Sequence, residues 1–268
     1  MMKLKAIVAA VALAAVAGQA SATVATATSG NGELFFSAWD TISQTSYTRD
    51  LGINLASFLP TSTVTAAGYK LNFAADSTLS NWLATSVGAN VANVKWNVWA
   101  GDSSGAQRYL MTTNSMPTGA GASGQQVDSQ VRNYGGQMDG FLAAVNPKMP
   151  ATTAANGSAT FALGENGYAG GALFNTNLGG KANFNTTAFA GQSLNFYMMS
   201  AVASGGTTTR SPVDQFDNAN GAAKWTFSQN GNLEYAAAVA AVPEPGTWAL
   251  FMAGLLGVGT IARRRLSA

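Results

Sequence analysis

There is no cysteine and no histidine in this 268-residue chain. Without cysteine there is no disulfide and no thiol nucleophile, so the fold must rely on packing and strand pairing alone. Without histidine the Ser-His-Asp constellation is excluded, and the two absences together remove nearly all zinc sites. Charge is scarce as well, at 10% of residues. The formal net charge of +2 is carried by the ends. With Lys3, Lys5, Arg263, Arg264 and Arg265 set aside, nine basic residues face eleven acidic ones between Thr23 and Ala241, a net of −2. No basic run remains to meet a phosphate backbone, which argues against a nucleic-acid partner.

What the ends do contain reads as an address. Lys3 and Lys5 precede an apolar run from Ala6 to Ala17, and Ala20-Ser21-Ala22 is a small-residue cleavage site. That is the pattern of a Sec-type signal peptide over residues 1–22, cut after Ala22, with Ala20 and Ala22 as the cleavage-site residues and Thr23 first in the mature chain. Passage through the Sec translocon is therefore expected. The last 27 residues read VPEPGTWALFMAGLLGVGTIARRRLSA. Three pieces follow one another there: a stiff turn at Pro243-Glu244-Pro245-Gly246, an apolar run from Trp248 to Ala262, and Arg263-Arg264-Arg265. As a helix the apolar run spans roughly 22 Å against a hydrocarbon core of about 30 Å, short for a permanent anchor. The arginines act as a membrane stop and belong on the cytoplasmic side, so the chain before Pro243 lies outside. The prolines hold the entry segment extended and accessible.

Val242-Pro243-Glu244-Pro245-Gly246, followed by a glycine-rich apolar helix and a basic tail, resembles the PEP-CTERM protein-sorting domain of exported proteins of Gram-negative bacteria. The resemblance covers about a tenth of the chain. It implies recognition by an exosortase, cleavage near Pro243 to Pro245, transient residence in the inner membrane, and delivery to the cell surface or the exopolysaccharide matrix.

About 220 residues remain between the two ends, enough for one domain with its own core. Its strands are expected at Glu33 to Trp39, Tyr47 to Asn54, Val64 to Ala74, around Val94 to Val98, Arg108 to Thr112, Thr160 to Leu163, Thr187 to Ala190 and Leu194 to Val202. A hairpin closes the series, pairing Trp225 to Phe227 with Leu233 to Tyr235 around Asn230-Gly231. Asp76 is placed to cap a short helix through Leu79, Trp82 and Leu83 that ends near Gly88. Val127, Val131, Tyr134, Met138 and Leu142 recur at helical spacing, predicting a helix over Gln125 to Val145 that Gly135-Gly136 threatens to break. Many short strands between Gly, Asn, Ser and Thr turns predict a mainly β fold: a single β-sandwich or jelly-roll-like domain over 23–235 with one or two short helices, joined by an alanine linker at 236–241 to the sorting signal at 242–268.

Few stretches point to chemistry. Gly119-Ala120-Gly121-Ala122-Ser123-Gly124, with Asp139 about 20 residues on, spells the dinucleotide fingerprint. Met116-Pro117 intervenes after the preceding strand, however, and no βαβ repeat follows, so a glycine-rich loop is the default reading. Asp214, Asp217, Asn218 and Asn220 offer oxygen ligands for calcium but depart from the EF-hand spacing, and a solvated turn is the default. Asn156-Gly157-Ser158 and Asn185-Thr186-Thr187 are sequons by letter and turn formers by composition. Trp39 and Trp99 are candidate polysaccharide-facing aromatics, with core packing as the ordinary alternative. No cofactor and no metal is expected. The resulting expectation is a structural or binding protein, itself a substrate of a sorting enzyme rather than an enzyme; the alternative is a glycan-active enzyme using a carboxylate pair.

Overall fold

The first hairpin sets the architecture. Glu33–Asp40 (β1) and Thr45–Asn54 (β2) pair antiparallel in the register Phe36↔Arg49 and Trp39↔Ser46. The turn between them is built by Asp40, whose carboxylate accepts from the backbone N–H groups of Ile42 and Ser43 at 3.0 and 2.9 Å. Short acidic side chains favour such turns because they satisfy backbone donors locally. Along β1 both faces are apolar. Leu34, Phe36 and Ala38 enter one cluster, whereas Phe35 and Trp39 enter another on the opposite side. A strand buried on both faces loses the alternation of a half-exposed one.

A computed structural model describes residues 23–241 apart from 62, 115, 117–125, 150–156, 172–184 and 203–205, together with 252, 253 and 255. The strands that follow the hairpin are Lys70–Phe73 (β3), Lys95–Gly101 (β4), Arg108–Thr113 (β5), Ser158–Ala162 (β6), Ala188–Phe189 (β7), Ser193–Ser200 (β8), Val213–Gln215 (β9), Asp217–Asn218 (β10), Gly221–Ala222 (β11), Lys224–Phe227 (β12) and Leu233–Ala236 (β13). All but β10 and β11 belong to one antiparallel sheet, with the order β3-β13-β12-β8-β5-β4-β1-β2-β6 and with β7 on β4 and β9 on β8.

That sheet is curled. Three strands separate β1 from β12 in the order, yet the rings of Phe36 and Phe227 lie 4.9 Å apart. The interior of the curl is aromatic: Phe58, Phe196, Phe216, Trp225 and Tyr235 form a mutual cluster with centroids 4.8–6.4 Å apart. Two facing layers of a sandwich are thereby supplied by one sheet folded on itself. A short helix, Ser77–Trp82 (α1), follows the edge strand β3 and is tied to β2 near the other edge of the sheet. Asp76 caps α1 as expected, accepting from Leu79 N–H at 2.7 Å, and also accepts from the Tyr47 hydroxyl at 2.6 Å. Trp82 donates to Thr45 Oγ1 of β2 at 2.9 Å, and the Arg49 guanidinium donates to Ala74 O at 2.7 Å.

The outer face carries the second core under the long helix, Asp128–Val145 (α2). Val131, Tyr134, Met138, Phe141, Leu142 and Val145 of α2 are fully buried against Phe35, Trp99, Tyr109, Met111 and Met199 of the sheet. The helix starts three residues later than Gln125, and Gly135-Gly136 does not break it. The reason is contact: a Cβ on Gly135 would sit 2.4 Å from Ser103 Cβ, so glycine lets α2 press onto the β4–β5 turn. The strand expected from Val64 shrinks to Lys70–Phe73, because Thr63 to Gly68 forms successive turns and Gly68 has φ +85.

Candidate functional site

The functional information in the sequence concentrates at the two ends, so the site is built from where the domain releases its chain. At the C-terminal end, β13 continues through Ala236, paired with Lys70 and Lys224. Ala237 N–H donates to Tyr69 O at 2.9 Å, and the Asn218 amide donates to Ala238 O at 2.9 Å and to Thr65 O at 2.6 Å. One side chain thus clasps the departing chain and the loop before β3. The last residue so held is Ala238; Val239 is 57% exposed, and Ala240 and Ala241 are exposed too.

The N-terminal end is gripped in the same way. Val24 N–H donates to Asn146 Oδ1 at 3.1 Å, and Asn146 Nδ2 returns a bond to Val24 O at 3.0 Å. The Val24 side chain is 1% exposed. Asp139 then accepts from Ala27 N–H at 2.6 Å and from Thr28 N–H at 3.0 Å. Asp139 is therefore occupied as a backbone cap, which is its role here in place of a ribose contact. The residues expected to act in targeting, Ala20, Ala22, Val242, Pro243, Glu244, Pro245, Gly246, Arg263, Arg264 and Arg265, lie outside the described residues, as do Gly119, Gly121, Gly124 and Asn156. Among the described residues no helix is long and apolar enough to cross a membrane.

The acids of the domain are largely engaged with its own backbone. Eight of the eleven accept a backbone N–H: Glu33, Asp40, Asp50, Asp76, Asp102, Asp128, Asp139 and Glu165. Asp128, fully buried at the start of α2, is the most heavily engaged. It accepts from Val202 N–H at 2.7 Å, from Arg132 Nε at 2.6 Å and from Ser211 Oγ at 3.3 Å. Burial pushes its carboxyl up, but the Val202 bond and the Arg132 guanidinium outweigh it and hold the group below the usual range. Asp50 is the opposite case. Burial first, and then the neighbouring charge of Glu33, push it up to about 7; Glu33 is raised by its own burial.

Asp214 and Asp217 share the wall of a shallow groove of about 640 Å³ with Leu59, Pro60, Met198 and Val213. Of their two calcium-candidate partners, Asn218 is engaged elsewhere. Asn218 spends its amide on Thr65 and Ala238, while its Oδ1 accepts from Asn220 N–H at 2.8 Å. Among the described residues no group of three or more acidic side chains is placed to hold a metal ion. Asn185 forms an Asx turn, accepting from Thr187 N–H at 3.1 Å and Oγ1 at 3.0 Å. A second groove of about 620 Å³ runs between Gly140, Ala143 and Ala144 of α2 and the turn carrying Leu163, Glu165 and Tyr168. Trp39 and Trp99 line neither: both are 0% exposed in the outer core, which corrects their reading as polysaccharide-facing aromatics. Asn146 and Asn218, the two residues that fasten the chain ends, were not legible beforehand, since their partners lie 122, 153 and 20 residues away and leave no local pattern.

Compared with known proteins, residues 241–265 match the family model described as the PEP-CTERM protein-sorting motif. No curated protein and no solved structure matches the chain. The match starts three residues beyond Ala238, where the described hydrogen bonding of the domain stops. The chain carries an exosortase sorting signal at its C-terminus, which marks it as a protein that is sorted.

Proposed function

We propose that this chain is an exported structural or binding protein of a Gram-negative cell surface or extracellular matrix, working in an exopolysaccharide setting and released from the inner membrane by an exosortase. The sorting-motif match over residues 241–265 carries the reading. In it, residues 1–22 are the signal peptide recognised by the Sec translocon, with Ala20 and Ala22 at the cut, and 242–268 are the sorting signal. Pro243-Glu244-Pro245 with Val242 and Gly246 form the recognised turn, the run 248–262 holds the chain in the bilayer, and Arg263, Arg264 and Arg265 stop it there. Asn146 fastens Val24 close to one cut and Asn218 fastens Ala238 close to the other, so contacts within the domain hold the chain near the point where each segment departs. Matrix proteins without disulfides need this kind of self-sufficient core, and the two aromatic-rich clusters on the faces of one sheet supply it.

The test is mass spectrometry of the mature protein recovered from its own host. The expected chain begins at Thr23 and lacks the residues after the Pro243–Pro245 region; an intact C-terminus ending at Ala268 would overturn the sorting reading.

A further inference from the structure

We infer that the rim of the domain around the chain exit is the surface apposed to the bilayer headgroups before processing, and that the tether Val239–Val242 sets the gap through which the processing enzyme reaches the Pro243–Pro245 turn. The inference rests on the sorting reading above and adds the length and the face. Ala238 is fixed to the domain by Asn218, and Ala237 by Tyr69. From Ala238 to Pro243 there are five Cα steps, which reach at most about 17 Å when fully extended. With the apolar run embedded, the domain therefore cannot rise further than this above the turn.

The rim that meets the headgroups consists of Gly68, Lys70, Asn220, Lys224 and Val239. Val239 packs beside Gly68, where a Cβ on the glycine would lie 3.9 Å from Val239 Cγ1. Lys70 and Lys224 face each other across Ala236, and Lys70 is 60% exposed with only a 3.8 Å pairing to Glu234. Flexible amines around a small apolar patch suit a phospholipid headgroup layer. The strand registers fix the far end as well. Trp39 pairs with Lys95, Lys95 with Phe189, and Gly191 N–H donates to Phe227 O. The β1–β2 turn with exposed Ile42 therefore lies at the Phe227–Leu233 end, opposite the exit.

The absence of native cysteine makes the test direct. In full-length unprocessed protein inserted into phosphatidylethanolamine–phosphatidylglycerol vesicles, single fluorophores are attached at Lys70→Cys, Asn220→Cys and Ile42→Cys, and a headgroup-borne quencher is added. Strong quenching at the two rim positions and weak quenching at Ile42→Cys is expected, and six Gly/Ser residues inserted after Ala240 should bring the rim down to the Ile42→Cys level. Equal quenching at both ends would overturn the inference. In the host, deleting Ala240 and Ala241 shortens the tether by about 7 Å and should slow C-terminal cleavage by about tenfold or more, whereas the insertion should not slow it. A deletion processed at the normal rate would overturn the gap. Cleavage that survives Pro243→Ala combined with Pro245→Ala would instead remove the sorting reading itself, and the inference with it.

Discussion

Two adjacent glycines show how little a residue type says without its surroundings. Gly135 and Gly136 both cost α2 helix propensity, about 1 kcal/mol each relative to alanine. A Cβ at Gly136 meets nothing within 4 Å, whereas one at Gly135 meets Ser103 at 2.4 Å and the Tyr109 hydroxyl at 3.1 Å. Gly136→Ala should therefore raise stability by about 0.5–1 kcal/mol, and Gly135→Ala should lower it by about 1–2 kcal/mol, the overpacking exceeding the propensity gain. Urea unfolding midpoints at constant slope measure both. Asp50 makes a second prediction at this scale. Its folded pKa, about 7, lies above its unfolded value, so the folded state binds the proton more tightly. The contribution of this group is therefore fully present below the unfolded carboxyl pKa and is lost as pH rises through about 7. Asp50→Asn should flatten the fall in melting temperature between pH 5 and pH 8, as thermal unfolding across that range would show.

Among the elements, α2 is the one whose placement depends most on a single buried group. Asp128 joins the first turn of the helix to Val202 and Ser211, and Arg132 one turn on reaches Gln107 at 2.5 Å and the Val202 carbonyl. Removing the carboxylate takes the acceptor from Arg132 Nε, Val202 N–H and Ser211 Oγ together, while Arg132 keeps Gln107 and the Val202 carbonyl. Asp128→Ala should cost about 1–3 kcal/mol, as expected when a buried acceptor is deleted and the Val202 N–H is left without a partner, with Asp128→Asn losing less because it keeps an acceptor for Val202. Calorimetry of both variants separates the charge from the hydrogen bonds. Local signals announced several elements: Asp76 capping α1, the glycine-bearing loop at Asn230-Gly231 before β13, and the β4–β5 hairpin. The loop at Thr63 to Gly68 went unread because its alternation with Tyr69, Leu71 and Phe73 imitated one long strand, and only the left-handed φ of Gly68 ends it.

For the molecule as a whole, the sorting motif was legible and the shape was not. Val242 to Arg265 is a contiguous pattern, and an enzyme that reads an extended segment reads the same letters a sequence does. The mainly β class was equally accessible, since short strands between Gly and Asn turns are local facts. The curl was not. Phe36 and Phe227 meet from strands 191 positions apart in the chain, and β1 gives no hint of which face is which because Phe35 and Phe36 are both buried. Nor did the eleven acids reveal that eight serve as backbone acceptors, for a carboxylate reads alike whether it caps a turn or faces a ligand. By itself, then, the sequence determined the C-terminal sorting motif, the exclusion of thiol and histidine chemistry, and the identity of most strands, all of which depend on neighbours along the chain. The tertiary structure alone decided which tryptophans are core, how one sheet supplies two facing layers, and that Asn146 and Asn218 fasten the ends, because each of these depends on groups that only folding brings within about 3–6 Å.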